Sequence, residues 1–234
     1  MTDRLTPGAT IGILGGGQLG RMLSVAASRL GFKTHIYEPG ANPPAGQVAH
    51  TVTTAPYEDE AALRAFAASV DVITYEFENI PTSALDILEA IRPIRPGRTA
   101  LAVSQDRLSE KTFLRDLGLM TAPFADVASK ADLAAALETI GAPAILKTRR
   151  FGYDGKGQAR IMALNDAASA YADMAGAPSI LEGFVNFSHE VSVIGARALN
   201  GSAACFDPGE NVHLNGILHT TTVPAKVPRV RRRV

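Results

Sequence analysis

Lys147 and the eleven residues after it read Lys-Thr-Arg-Arg-Phe-Gly-Tyr-Asp-Gly-Lys-Gly-Gln: one lysine, then three glycines and three more cations by Gln158. Lys147 closes the apolar run Ala144-Ile145-Leu146, which suits a buried strand and would fix the place where the ammonium emerges. A glycine-rich loop can fold its backbone N–H groups over a polyphosphate while such a lysine neutralises an inner phosphate charge. Each charge-assisted contact of that type contributes about 1.5 to 3 kcal/mol. The segment is not a Walker A loop, because Gly155-Lys156 is not followed by Ser or Thr and no helix pattern follows. The competing reading is a basic β-hairpin loop with no ligand.

A second glycine cluster, Gly15-Gly16-Gly17-Gln18-Leu19-Gly20, fits G-x-G-x-x-G between a strand pattern and a helix pattern. Glycines there permit a tight turn and a close backbone approach to an anion at a helix N-terminus. Glu38, at the end of the next strand pattern, stands where a dinucleotide domain places its ribose-binding acid. Three readings remain open for this loop: a dinucleotide, another phosphate ligand, or tight packing alone. Four further side chains carry possible chemistry. Glu182 closes the run Ser179-Ile180-Leu181, and Glu190 opens the next strand pattern; carboxylates at strand ends suit hydroxyls or an exocyclic amine. Glu76 follows Val72-Ile73 at the carboxyl end of a strand, where open parallel sheets collect ligands, and His213 reads locally as a loop histidine.

The elements that must position these residues alternate at first. Thr10 to Leu14, Lys33 to Tyr37 and Val70 to Tyr75 read as strands. The stretch from Gln18 to Leu30 is helical, with Leu19, Met22, Leu23, Ala26, Ala27 and Leu30 as its buried face and Gly31 as its C-terminal cap. Asp59 to Ser69 is a second helix, so the first half predicts a parallel sheet with helices on both faces. Then come a helix over Thr99 to Leu117, a break at Thr121-Ala122-Pro123, a helix from Ser129 to Thr139 and strands 144–147 and 158–162. A short helix over Asp166 to Ala175 precedes two runs, Ser179 to Val185 and Glu190 to Ala196, that read as antiparallel strands.

At 234 residues the chain is long enough for one or two domains of roughly 150 residues. Its single cysteine, Cys205, excludes a disulfide scaffold and a cysteine-cluster metal site. No run approaches the roughly 18 to 20 apolar residues that span a bilayer, and MTDRLTPG lacks the apolar core of a signal peptide, so a cytoplasmic protein is expected. Lys plus Arg and Asp plus Glu both total 23, but Arg229, Arg231, Arg232 and Arg233 crowd the last six positions, leaving 19 basic against 23 acidic groups ahead of them. A basic tip without a basic face argues against nucleic-acid binding and reads as a solvated tail.

Taken in order, ILGGGQLGRML, YEFENIP, QDRLSEK, ILKTRRFGYDGKGQ, ILEGFVNFSHEVSVIGAR and NGILHTTTVPA resemble the 5-(carboxyamino)imidazole ribonucleotide synthase family of ATP-grasp ligases. The resemblance runs from about Thr10 to Lys226. It implies an α/β fold: a Rossmann-like pre-ATP-grasp parallel sheet over 1–103, an ATP-grasp lid subdomain with linker helix over 104–183, and the start of a C-terminal subdomain over 184–234, incomplete at its C-terminus. It implies that ATP, Mg²⁺ and bicarbonate form carboxyphosphate, which carboxylates the 5-amino group of aminoimidazole ribonucleotide in purine biosynthesis. By position, ATP contacts fall to Arg107, Lys147, Gly152, Tyr153, Asp154, Gly155, Lys156, Gly157, Gln158, Glu182, Gly183, Phe184, Val185, Glu190 and His213. Tyr153, Asp154 and Lys156 would also serve catalysis, and Gln18 and Glu76 the ribonucleotide. The resemblance further implies a homodimer, with no membrane or nucleic-acid partner, and metal ligands beyond the end of this chain. Family-like sequence gives way after Lys226, so a frame change or truncation is expected to remove the catalytic half-site. The alternatives are a non-catalytic ATP-binding fragment and an NAD(P)-dependent oxidoreductase.

Overall fold

Thr10–Leu14 forms strand β1, and Lys33–Tyr37 (β2), Thr51–Thr53 (β3) and Val72–Tyr75 (β4) join it in a parallel sheet of order β3-β2-β1-β4. Gln18–Arg29 (α1) and Glu60–Ala68 (α2) are the crossovers, and Asp59 caps α2 by accepting from the Ala62 amide at 2.9 Å. Leu14, Tyr37, Leu63, Phe66, Ile73 and Leu85 share the main core of this sheet. The computed structural model describes residues 4–152, 156–214 and 217–227. Within it the chain divides into two compact units, one ending at Phe113 and the other beginning at Leu114.

Helix α1 follows its expected span but not its expected face. Gly20, Ser24 and Ala27 are buried, while Leu19, Met22, Leu23 and Leu30 remain 57, 58, 41 and 68% exposed. The cause is the closeness of the helix to the glycine turn: a Cβ on Gly20 would lie 2.8 Å from the carbonyl oxygen of Gly15. Only the small ridge of the helix fits that gap. The expected helix over Thr99 to Leu117 is also corrected, into Arg98–Ser104 (α4) and Arg107–Asp116 (α5). Between them Asp106 turns its carboxylate onto the Leu108 and Ser109 amides at 3.0 and 3.1 Å and so starts a new helix. Helix α3, Thr82–Glu89, follows Pro81, and neither it nor the three-residue β3 was expected.

His35 sits inside the parallel sheet with both ring nitrogens engaged, Nδ1 2.8 Å from Ser69 Oγ and Nε2 2.8 Å from Thr53 Oγ1. Ser69 Oγ donates its hydrogen to the Phe66 carbonyl, so it accepts from Nδ1–H, and Nε2 accepts from Thr53. The ring is thus a neutral Nδ1–H tautomer. Burial first, and the nearby His50 second, hold its pKa below the ordinary 6.5. Below that value the unfolded chain takes up a proton that the folded chain refuses, so stability present above pH 6.5 drains away as pH falls through the folded value. We expect the urea midpoint to drop between pH 7 and pH 5, and to drop less in His35→Asn; equal drops would show that other groups carry the effect.

The second unit opens on Phe124–Val127 (β5), a strand not expected from the sequence. Lys130–Ile140 (α6) is capped by Ser129, which accepts from the Asp132 amide at 3.2 Å. Ala144–Thr148 (β6), Gln158–Ile161 (β7) and Ser179–Gly183 (β8) complete an antiparallel sheet of order β5-β8-β6-β7, with Ala167–Asp173 (α7) between β7 and β8. Helices α6 and α7 cover one face through Leu133, Ala136, Leu137 and Ala170 against Leu146, Ile161 and Leu181. The chain then makes Glu190–Ser192 (β9), the paired strands Gly195–Arg197 (β10) and Ala203–Cys205 (β11), and Gly209–Leu214 (β12) with Ile217–Thr222 (β13). The runs around Ser179 and Glu190 do not pair with each other: β8 belongs to the first sheet, and β9 to a second of order β13-β12-β9. Residues 184–189 carry the chain from one sheet to the other. Val191, Ile194, Phe206, Leu214, Ile217 and Leu218 are exposed.

Candidate functional site

Strand periodicity decides what β6 presents. Ala144 and Leu146 are buried against the helices, so Ile145 and Lys147 face the other way. Ile145 lies opposite Glu182 on β8 and Arg160 on β7, and Lys147 lies opposite Ile180. Lys147 therefore reaches Glu182 diagonally, Nζ to Oε2 at 2.9 Å, with 23% of its side chain and 9% of the glutamate's exposed. This pair lies on the wall of a cleft of about 500 Å³ whose lining also includes Ala122, Ile145, Arg160 and Gly183. Phe184, Val185 and Phe187 add apolar surface, and Glu190, Asn211 and His213 come from the second sheet.

The polar end of the cleft is a network. Glu190 Oε1 receives Asn211 Nδ2 at 3.2 Å and lies 3.5 Å from His213 Nδ1. Asn211 and His213 both stand on β12, so the expected loop histidine is a strand residue. The structure thus brings together Lys147, Glu182, Gly183, Phe184, Val185, Glu190 and His213 of the residues singled out from sequence. Ala122, Ile145, Arg160, Phe187 and Asn211 carried no signal in the sequence that singled them out.

The loop joining β6 to β7 is described at its two ends. Thr148 donates its amide to the Gly157 carbonyl at 2.8 Å, and Gly157 has φ +65°, where a Cβ would meet Thr148 Oγ1 at 2.5 Å. Gln158 pairs with Lys147 in register, and Gly152 and Lys156 flank Tyr153, Asp154 and Gly155, which lie outside the described residues. The arginine-rich end beyond residue 227 lies outside them as well. Two of the loop's cations have contacts of their own: Arg149 Nη1 is 3.4 Å from Asp126 Oδ1, and the Arg150 guanidinium sits 5.4 Å over the Phe151 ring. Arg107, Gln18 and Glu76 belong to the first unit, at the starts of α5 and α1 and just after β4.

In that unit the triple-glycine turn is closed by the chain's own carboxylates. Glu38 Oε2 accepts from the Gly16 amide at 2.7 Å while its Oε1 accepts from Gly40 at 2.9 Å, and Glu76 Oε1 accepts from Gly17 at 2.8 Å. Glu38 thus spends one oxygen on the glycine turn and the other on the Gly40 amide, rather than on a ribose. Burial pushes the nearby Tyr57 hydroxyl up, and the negative charges of Glu38 and Glu76 push it further. These two carboxylates hold the turn, and a dinucleotide reading that needs Glu38 for a ribose is the one they disfavour. Among the described residues no three His, Cys, Asp or Glu side chains gather as metal ligands, and no helix is long and apolar enough to cross a membrane.

Residues 8–105 match the ribonucleotide synthetase pre-ATP-grasp domain, and residues 112–233 match the ATP-grasp domain. An N5-carboxyaminoimidazole ribonucleotide synthase from Brucella melitensis is 54% identical over 225 residues, 95% of this chain and 62% of that protein. The Staphylococcus aureus N5-carboxyaminoimidazole synthetase complexed with ADP superposes with a TM-score of 0.91 at 41% identity, covering 95% of this chain and 60% of that one. The Aspergillus clavatus synthase in complex with ADP and 5-aminoimidazole ribonucleotide gives 0.84 at 27% identity, covering 95% and 59%. The chain therefore spans about three fifths of the length of these relatives.

Proposed function

This chain belongs to the ATP-grasp family, behind a pre-ATP-grasp domain of the ribonucleotide synthetase type, and from that premise we propose that the cleft of its second unit binds ATP. The observation that carries the reading is the composition of one cleft: Lys147 for phosphate, apolar Ile145, Phe184 and Val185 for a base, Glu190 for sugar hydroxyls. In this reading the glycine loop from Gly152 to Gln158 contacts the phosphates together with Lys147. Glu182 and the backbone around Val185 take the adenine edge, His213 completes the contacts in the cleft, and a nucleotide contact for Arg107 rests on the family resemblance alone. The relatives solved with ADP, from Staphylococcus aureus and Aspergillus clavatus, support this choice of ligand.

We infer further that the chain is part of an ATP- and bicarbonate-dependent ligase that makes 5-(carboxyamino)imidazole ribonucleotide through carboxyphosphate. Gln18, Glu76, Tyr153, Asp154 and Lys156 are the residues we assign to the ribonucleotide side and to the transfer. The Aspergillus clavatus complex with 5-aminoimidazole ribonucleotide supports that substrate. Subdomain boundaries near 103 and 183, a homodimer and a cytoplasmic location belong to the same reading and rest on the family resemblance. The described residues do not fit a Mg²⁺ site: Glu182 is paired with Lys147, Glu190 is held by Asn211 and His213, and no third carboxylate joins them.

Nucleotide binding is tested by thermal unfolding of the chain with ATP, and with NADPH as the comparison. ATP is expected to raise the transition in a concentration-dependent way and NADPH to leave it unchanged. Stabilisation by NADPH alone would replace this reading with a dinucleotide one, which the doubly engaged Glu38 already disfavours. Phosphate release that requires both bicarbonate and aminoimidazole ribonucleotide is the signature of the full reaction, and ATP binding without it marks a nucleotide-binding fragment.

A further inference from the structure

Glu190, Asn211 and Thr221 lie side by side across three strands, with Asn211 of β12 opposite Glu190 of β9 on one side and Thr221 of β13 on the other. Asn211 Oδ1 accepts from Thr221 Oγ1 at 2.9 Å and from Ser192 Oγ at 3.4 Å. The carboxylate settles which way the amide points: an ionised Glu190 can only accept, so the NH₂ group must face it, while the hydroxyls of Thr221 and Ser192 can donate to the amide oxygen left on the other side. Nδ2 therefore faces Glu190 and donates to its Oε1 at 3.2 Å, the same oxygen that His213 Nδ1 approaches at 3.5 Å. Both partners meet one carboxylate oxygen. Among the described residues no donor meets Oε2, and Glu190, Asn211 and His213 all line the cleft.

A carboxylate free to rotate offers a ligand hydroxyl a poor acceptor, because fixing it costs side-chain entropy at the moment of binding. We propose that Asn211 is a positioning residue: anchored through Thr221, it holds Glu190 by one oxygen so that the other reads the sugar hydroxyls of the bound nucleotide. The inference rests on the nucleotide reading of the cleft and adds to it a residue that sets preference for ribose over deoxyribose. A role confined to folding predicts a different outcome, because loss of structure weakens every ligand alike.

Titration calorimetry on the full chain with ATP, 2′-deoxy-ATP, 3′-deoxy-ATP and inorganic tripolyphosphate separates these outcomes. The unmodified chain is expected to prefer ATP to the deoxy analogues by roughly tenfold, the size of a hydrogen bond to a charged group. Asn211→Ala and Asn211→Leu should bring ATP down to the level of the deoxy analogues and leave tripolyphosphate binding unchanged. Thr221→Val should cause a smaller loss of the same preference, and Thr221→Ser, which keeps the hydroxyl, should restore it. Equal weakening of all four ligands by Asn211→Ala, or a preference that survives it, overturns the assignment. An unmodified chain that binds ATP without any sugar preference also overturns it while leaving the nucleotide site standing. A chain that binds no nucleotide at all removes both.

Discussion

Replacing Lys147 by methionine should destabilise the second unit by about 3 kcal/mol and remove measurable ATP binding. The lower end of the range for breaking a buried ion pair applies, because Lys147 keeps 23% of its side chain in solvent while Glu182 keeps only 9%. Methionine fills much the same space beside Ile145, so lost packing contributes little and the lost positive charge contributes most. The double variant Lys147→Met with Glu182→Gln removes the excess charge and should recover most of the stability, but none of the ATP affinity. Denaturant unfolding followed by circular dichroism reads the first quantity, and calorimetry the second. A double variant no more stable than the single one would show that charge neutralisation is not what the pair supplies.

Gly16→Ala should cost a similar amount, about 3 kcal/mol, for an unrelated reason. Its Cβ would fall 2.5 Å from Pro43 Cβ and 2.9 Å from both Cβ and Cγ of Glu38, so two separate segments must move. Overpacking of this kind costs about 1 to 3 kcal/mol. Moving Glu38 also strips the acceptor from the Gly16 amide, and an unsatisfied buried donor adds about 1 to 3 kcal/mol. The urea midpoint should fall accordingly, and a midpoint unchanged within error would mean that Pro43 and Glu38 can withdraw together.

How much of this was legible depends on whether a residue's role is set by its neighbours in sequence or by strands far away. The spans of β1, α1, β2 and α2 follow from periodicity and caps, because those signals are local. The buried face of α1 does not follow: Leu19, Met22 and Leu23 look like a core stripe until the nearness of Gly20 to the Gly15 carbonyl is known. The break at Asp106 hides in a continuous helical pattern, because one side chain bonding two amides leaves no mark on hydropathy. In the cleft, Lys147, Glu182 and Glu190 stand out through their strand ends and the adjacent glycine loop. Asn211 and Arg160 do not, since a polar residue on a strand shows its purpose only through its cross-strand partners. The glycine fingerprint is the clearest ambiguity: its pattern specifies a tight turn before a helix, and only Glu38 and Glu76 decide what occupies it.

That occupancy has a thermodynamic consequence. Glu38 and Glu76 are tethered ligands, held beside the Gly16 and Gly17 amides by the same polypeptide. An inorganic anion arriving from bulk solution must compete with guests whose local concentration never dilutes. Phosphate buffer should thus be a silent bystander for the N-terminal sheet, however inviting its glycine signature looks.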